Sequence, residues 1–146
     1  MPPLNPPVQD TDIDDQMYSR DIIITGSLDG TAKAWSIETG ECTQTYKGHT
    51  AAVTCLATDP DGRNLFTGSA DHTIRSWETF TGQLLKVFSG HQTTIISLFA
   101  SKKLLYSTSS DHTARLWVME FGDCSRIYKG HTHSVASLYE ADGFRK

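Results

Sequence analysis

Short runs of apolar and β-branched residues, each about five long, recur along the chain: Ile22-Ile23-Ile24-Thr25, Val53-Thr54-Cys55-Leu56-Ala57, Leu65-Phe66-Thr67-Gly68-Ser69, Thr73-Ile74-Arg75-Ser76-Trp77 and Leu84-Leu85-Lys86-Val87-Phe88. Runs of this length, rich in β-branched and aromatic side chains, predict strands. Turn formers bound each run and predict hairpins. No stretch of ten residues carries the apolar spacing of a helix face, so the expected fold is all-β.

The runs are set out by a repeat. Trp35, Trp77 and Trp117 fall 42 and 40 positions apart. Each lies six positions after an aspartate that opens a turn: Asp29-Gly30-Thr31, Asp71-His72-Thr73 and Asp111-His112-Thr113. Thirteen positions after each Trp comes a Gly-His pair: Gly48-His49, Gly90-His91 and Gly130-His131. Four markers in phase across three units define a repeated four-stranded element. The two-residue difference in period falls where Asp59-Pro60-Asp61-Gly62 makes a turn in one unit and Ser101-Lys102 a tighter one in the next.

These markers resemble the WD repeat, in which a Gly-His pair, an Asp turn and a Trp-Asp end follow one another. The resemblance covers residues 21 to about 140. It departs at the last dipeptide, which reads Trp35-Ser36, Trp77-Glu78 and Trp117-Val118. By overall wording, as in residues 25–35, the chain is most similar to uncharacterised cytoplasmic proteins built only of such repeats. The resemblance implies a partial β-propeller of about three four-stranded antiparallel blades, two complete and one split between the ends of the chain. The boundaries expected are a Pro- and Asp-rich flexible leader over 1–20, a partial blade with strands two to four over 21–48, blades over 49–90 and 91–130, and the first strand of a further blade over 131–146.

The resemblance also implies structural tetrads that link a Trp, a Ser or Thr, the turn Asp and the His by hydrogen bonds. In the second unit these are His49, Thr67, Asp71 and Trp77; in the third, His91, Ser107, Asp111 and Trp117. The split unit supplies Thr25, Asp29 and Trp35 from one end and His131 from the other. A buried carboxylate needs such partners. Ser107, His91 and Asp111 also have the composition of a hydrolytic triad, but a constellation that recurs in every unit is a folding device rather than a unique active site, and triads are recognised by geometry. No catalytic residue is expected.

Charge changes the picture only at the start of the chain. Of 17 acidic residues, Asp10, Asp12, Asp14 and Asp15 lie in the first 17 positions, which hold no Lys or Arg; the remaining 13 balance the 13 basic residues. A neutral repeat body gives no electrostatic support to nucleic-acid or membrane-surface binding. No apolar run approaches the roughly 18 residues of a membrane span, and no secretory signal opens the chain. The expected location is cytoplasmic, or also nuclear. Three cysteines, Cys42, Cys55 and Cys124, lack zinc-site spacing and are expected to be small buried packing residues. His131-x-His133 is too sparse for a metal site; neither metal nor cofactor is expected. Lys33, Arg75 and Arg115, each two before a Trp, are expected to cover the blade face.

Three blades are fewer than the 4 to 8 of closed propellers. The expectation is a fragment of a larger propeller, because the outer units are ordinary repeats rather than caps; self-association through unpaired terminal blades is the other solution. The function expected is a non-catalytic scaffold or adaptor for other proteins or peptides. The alternative is a substrate receptor of a ubiquitin ligase, similar to F-box WD proteins, although no arginine stands where such a protein would grip phosphate. Candidate contact positions are the top-facing row Leu28, Thr54, Ala70, Ser97 and Ser110, with Phe80 as an isolated exposed aromatic.

Overall fold

The structure is a computed structural model and describes residues 21–141. Eleven strands form three antiparallel sheets, each a meander in chain order, and no helix occurs among the described residues. The first sheet holds β1 (Ile22–Gly26), β2 (Ala32–Ser36) and β3 (Cys42–Tyr46). The second holds β4 (Val53–Thr58), β5 (Asn64–Ser69), β6 (Ile74–Glu78) and β7 (Leu84–Phe88). The third holds β8 (Ile95–Ala100), β9 (Leu104–Ser109), β10 (Ala114–Val118) and β11 (Asp123–Tyr128). This is the all-β, three-blade architecture expected; the leader at 1–20 lies outside the described residues.

Register repeats from sheet to sheet. Trp35 stands opposite Ile23, Trp77 opposite Leu65, and Trp117 opposite Leu105. A bulge shifts the next ladder just before each Trp, which re-aims the indole across the sheet. The turn after β1, β5 and β9 is built identically each time. The Asp N–H donates to a Ser hydroxyl two residues back at 3.0–3.1 Å, and the Asp carboxylate accepts both the N–H and the hydroxyl of the Thr two residues on. Such Asx geometry fixes a tight turn without a glycine. His72 and His112, at φ 78° and 77°, therefore occupy the left-handed position that Gly30 takes in the first unit. The position accepts a side chain, but at the conformational cost of a non-glycine residue there.

The core sits between sheets rather than within them. Phe66, Ile74, Phe88, Ile95, Ala100, Leu105 and Trp117 form one buried cluster between the second and third sheets. Ala32, Ala34, Tyr46, Leu65 and Trp77 form the other, between the first and second. Each is keyed by an aromatic from one sheet's outer strand set edge-on against the Trp of the next: Tyr46 with Trp77 at 5.6 Å and Phe88 with Trp117 at 5.7 Å.

Residues 134–139, expected as a first strand, carry no strand. Val135 is buried, and its N–H donates to Ser109 O at 3.1 Å much as Val53 N–H donates to Ser27 O at 2.9 Å. The segment thus takes up the inner-strand position, but a ladder needs a second strand and no described residue pairs with it.

Candidate functional site

Each complete blade carries a buried polar chain. In the second, Trp77 Nε1–H donates to Thr67 Oγ1 at 3.0 Å, His49 Nε2 lies 2.7 Å from the same hydroxyl, and His49 Nδ1 lies 2.9 Å from Asp71 Oδ2. In the third, Trp117 Nε1–H donates to Ser107 Oγ at 2.9 Å, His91 Nε2 lies 2.7 Å from that oxygen, and His91 Nδ1 lies 2.8 Å from Asp111 Oδ2. One tautomer satisfies both: Nδ1–H donates to the carboxylate and Nε2 accepts the hydroxyl proton. The backbone N–H after each His, of Thr50 and Gln92, donates to the same carboxylate oxygen. The structure brings together all four members in these two blades.

Burial opposes ionisation of Asp71, but the Thr73 hydroxyl, the His49 ring and the N–H groups of Thr73 and Thr50 outweigh it and hold the carboxyl at about 2. Asp111 is lowered further, against burial, by Thr113, Gln92 N–H and His91. Burial, with the Arg115 charge nearby, lowers the pKa of His91 below the ordinary value despite the opposing pull of Asp111. Its imidazole is therefore neutral at neutral pH, as the hydroxyl bond to Nε2 requires.

The first sheet holds three members only. Trp35 Nε1–H donates to Thr25 Oγ1 at 2.9 Å and Asp29 binds Thr31. His131 is exposed and, among the described residues, bonds none of the three.

The family profile of the WD domain, G-beta repeat, matches residues 40–78 and 82–118, just over half of the chain. The chain belongs to the WD40 family. Human WD repeat-containing protein 86 is 51% identical over 45 residues, which are 31% of this chain and 12% of that protein. WD repeat-containing protein pop1 of Schizosaccharomyces pombe is 44% identical over 39 residues, 27% of this chain and 5% of that protein. The solved structure of U3-55K superposes with a TM-score of 0.76 at 28% identity, covering 81% of this chain and 38% of that one. The chain thus spans only a small part of the relatives it matches. WD-repeat proteins generally serve as protein-interaction scaffolds, and the family is typically non-catalytic.

Within these WD40 repeats the triad-like set of His91, Ser107 and Asp111 has hydrogen-bonding distances that would suit general-base catalysis. Its setting does not suit it: Ser107 is fully buried and its oxygen already accepts the Trp117 indole N–H. The arginines two before the Trp are also structural. The Arg75 and Arg115 guanidinium groups lie so close to Gly48 and Gly90 that a Cβ there would fall 2.5 and 2.6 Å from Nη1, and Arg115 lies 5.8 Å over the Trp117 ring. The glycine common to all three Gly-His pairs is accounted for by backbone conformation instead: Gly48, Gly90 and Gly130 lie at φ 154°, 155° and 148°, where side-chain-bearing residues are rarely found. The Asp that names the motif is replaced twice by working substitutes. Glu78 Oε1 accepts the N–H groups of Phe80 and Thr81, and Ser36 Oγ that of Thr39; Val118 has no such group.

The top-facing row divides. Leu28 is 88% exposed, a large apolar side chain facing solvent. Thr54 bonds Gly68 O and Ile95 O, Ser97 bonds Thr108, Ser110 bonds Thr93, and Ala70 is half-buried. Ser97 does not match Thr54 at all. Bulges in β4 and β8 leave Thr54 and Ile96 outside the ladder, so Ser97, opposite Thr108, is the counterpart of Cys55, opposite Gly68. Counting from the His agrees with the register: Thr54 and Ile96 each lie five positions on, and Ser97 lies six. Phe80 is half-buried rather than exposed. Of the cysteines, Cys42 is exposed, while Cys55 and Cys124 are partly buried against the cluster between the second and third sheets.

Proposed function

We propose that this chain is a non-catalytic scaffold that holds other proteins or peptides, working in the reducing environment of the cytoplasm or nucleus. One observation carries the reading: the polar side chains with chemical potential inside the sheets are consumed as internal partners in a framework repeated from blade to blade. What differs between blades lies on surfaces and hairpin loops, where binding can vary without loss of fold. The three cysteines, free and unpaired, fit a reducing compartment. Zero-length cross-linking of the immobilised chain in a cell extract is expected to capture a reproducible set of proteins. Acylation of the chain by a panel of activated esters, lost on Ser107→Ala, would overturn the scaffold reading.

A further inference from the structure

The two clefts between neighbouring blades can be compared position by position at the hairpin end away from the Asp turns. In the cleft between the first and second blades, outer strand β3 is clamped to the next blade: Gln44 Nε2 donates to Phe80 O at 3.0 Å and the Tyr46 hydroxyl to Thr79 O. Phe80 is half-buried there, and the hairpin at 59–63 is braced by Asp59, which accepts the N–H groups of Arg63 and Asn64. In the cleft between the second and third blades every one of these features is replaced. Lys86 stands for Gln44 and Phe88 for Tyr46, so both clamps are lost; Met119 stands for Thr79 and Glu120 for Phe80. The hairpin is two residues shorter and carries Lys102 and Lys103. Val118 replaces the turn-capping Glu78.

All the substitutions act on one place, and the result is an open groove of about 620 Å³, against 450 Å³ in the other cleft. Leu85, Leu104, Val118 and Met119 line it over Phe66. Lys86, Lys102 and Lys103 stand at its edge against a single carboxylate, Glu120, and none of the three is ion-paired among the described residues. Both walls belong to this chain. The volume suits one or two inserted side chains rather than a domain. Three cations gathered in one place on a repeat body that is neutral only in total select a negative partner, and the apolar lining selects against one that is purely polar.

We propose that the groove between the second and third blades binds a peptide segment in which apolar side chains are flanked by acidic residues. The proposal rests on the scaffold reading and gives it a site and a ligand chemistry, at the end of the molecule opposite Leu28.

The probe is a fluorescein-labelled 12-residue peptide with two central leucines flanked on both sides by aspartates and glutamates, read by fluorescence anisotropy on the full chain. Replacing the acids by lysines, or the leucines by serines, is expected to weaken binding at least about tenfold. Lys102→Glu with Lys103→Glu should do the same. Met119→Thr with Glu120→Phe, which copies the other cleft, should weaken it through shape and should retain the fold, because that cleft already carries those residues. Leu28→Asp should leave affinity unchanged. Absence of binding, or binding lost in Leu28→Asp and kept in the groove variants, overturns the proposal. If the extract cross-linking still captures proteins in that case, the groove fails and the scaffold reading stands.

Discussion

At the scale of single residues, the shared hydroxyl is the weakest point of each polar chain. Ser107 Oγ takes the Trp117 N–H and gives its own proton to His91, all of it buried. Ser107→Ala orphans two buried groups at about 1–3 kcal/mol each, so urea denaturation should show a loss of about 3 kcal/mol. Ser110→Ala removes only a part-buried bond to Thr93, whose hydroxyl keeps Ser109 as a partner, and should cost less than about 1 kcal/mol. Protonation probes the same chain. His91 is lowered in the fold, so as pH falls below the ordinary histidine value near 6.5 the unfolded chain takes up the proton first, and stability drops. Asp71, held at about 2, and Asp111, also lowered, contribute stability that is full above about pH 4 and is lost as pH falls through their folded values. Thermal midpoints should therefore fall in two steps on acidification, the first below about pH 6.5. His91→Gln should remove that first step and leave the Asp71 share of the second, while the Asp111 share shrinks with the loss of its His91 bond.

At the scale of elements, stability is carried by contacts between blades, and the outer-strand aromatics show it. Tyr46 and Phe88 are buried against the next Trp, while Tyr128, at the same place in the third sheet, is 47% exposed. Phe88→Ala should cost about 3–5 kcal/mol, the usual loss for a buried Phe. Tyr128→Ala in the same chain should cost less than about 1 kcal/mol, since little apolar surface returns to water. Urea midpoints of the two variants compare them directly. Strand positions were legible in the sequence to within a residue because β-branched runs and turn formers are local signals: β4 and β5 extend one residue beyond the runs at 53–57 and 65–69. The tetrads were legible because they repeat. What was not legible depends on neighbours: residues 134–139 have strand composition but no ladder, and Ile23, equivalent to the fully buried Leu65 and Leu105, is 54% exposed on β1. The mismatch of Thr54 with Ser97 was legible in the spacing, since Ile96 and not Ser97 lies five positions after its His, and the bulged register agrees. The open groove left a mark there too, the two-residue deficit between His91 and Asp111, but its lining comes from two blades and only the packed structure assembles it.

At the scale of the whole molecule, the described residues pack as a stack in chain order, with β4 against β1 on one side and β4 and β5 against β8 on the other, through the two clusters described. Stability is then a sum of blade terms and interface terms, and position in the stack decides how much each blade keeps. The second blade is packed on both faces: β5 is buried from Leu65 to Ser69, with Leu65 in one cluster and Phe66 in the other. The third blade has one such face, and β9 is correspondingly a little less buried. The first has one face, three strands and a β1 that is half-exposed along its length. Local opening requires only the contacts of the segment that opens, so amide hydrogen exchange on the full chain should protect β5 most, β9 next and β1 least. Trp77→Phe, which weakens the interface between the first two blades and leaves Thr67 without its indole donor, should accelerate exchange in β1 to β3 and β5 while changing β10 and β11 little. Uniform acceleration across all eleven strands would instead mean that the stack opens as one cooperative unit, and that the blade-by-blade sum does not describe it.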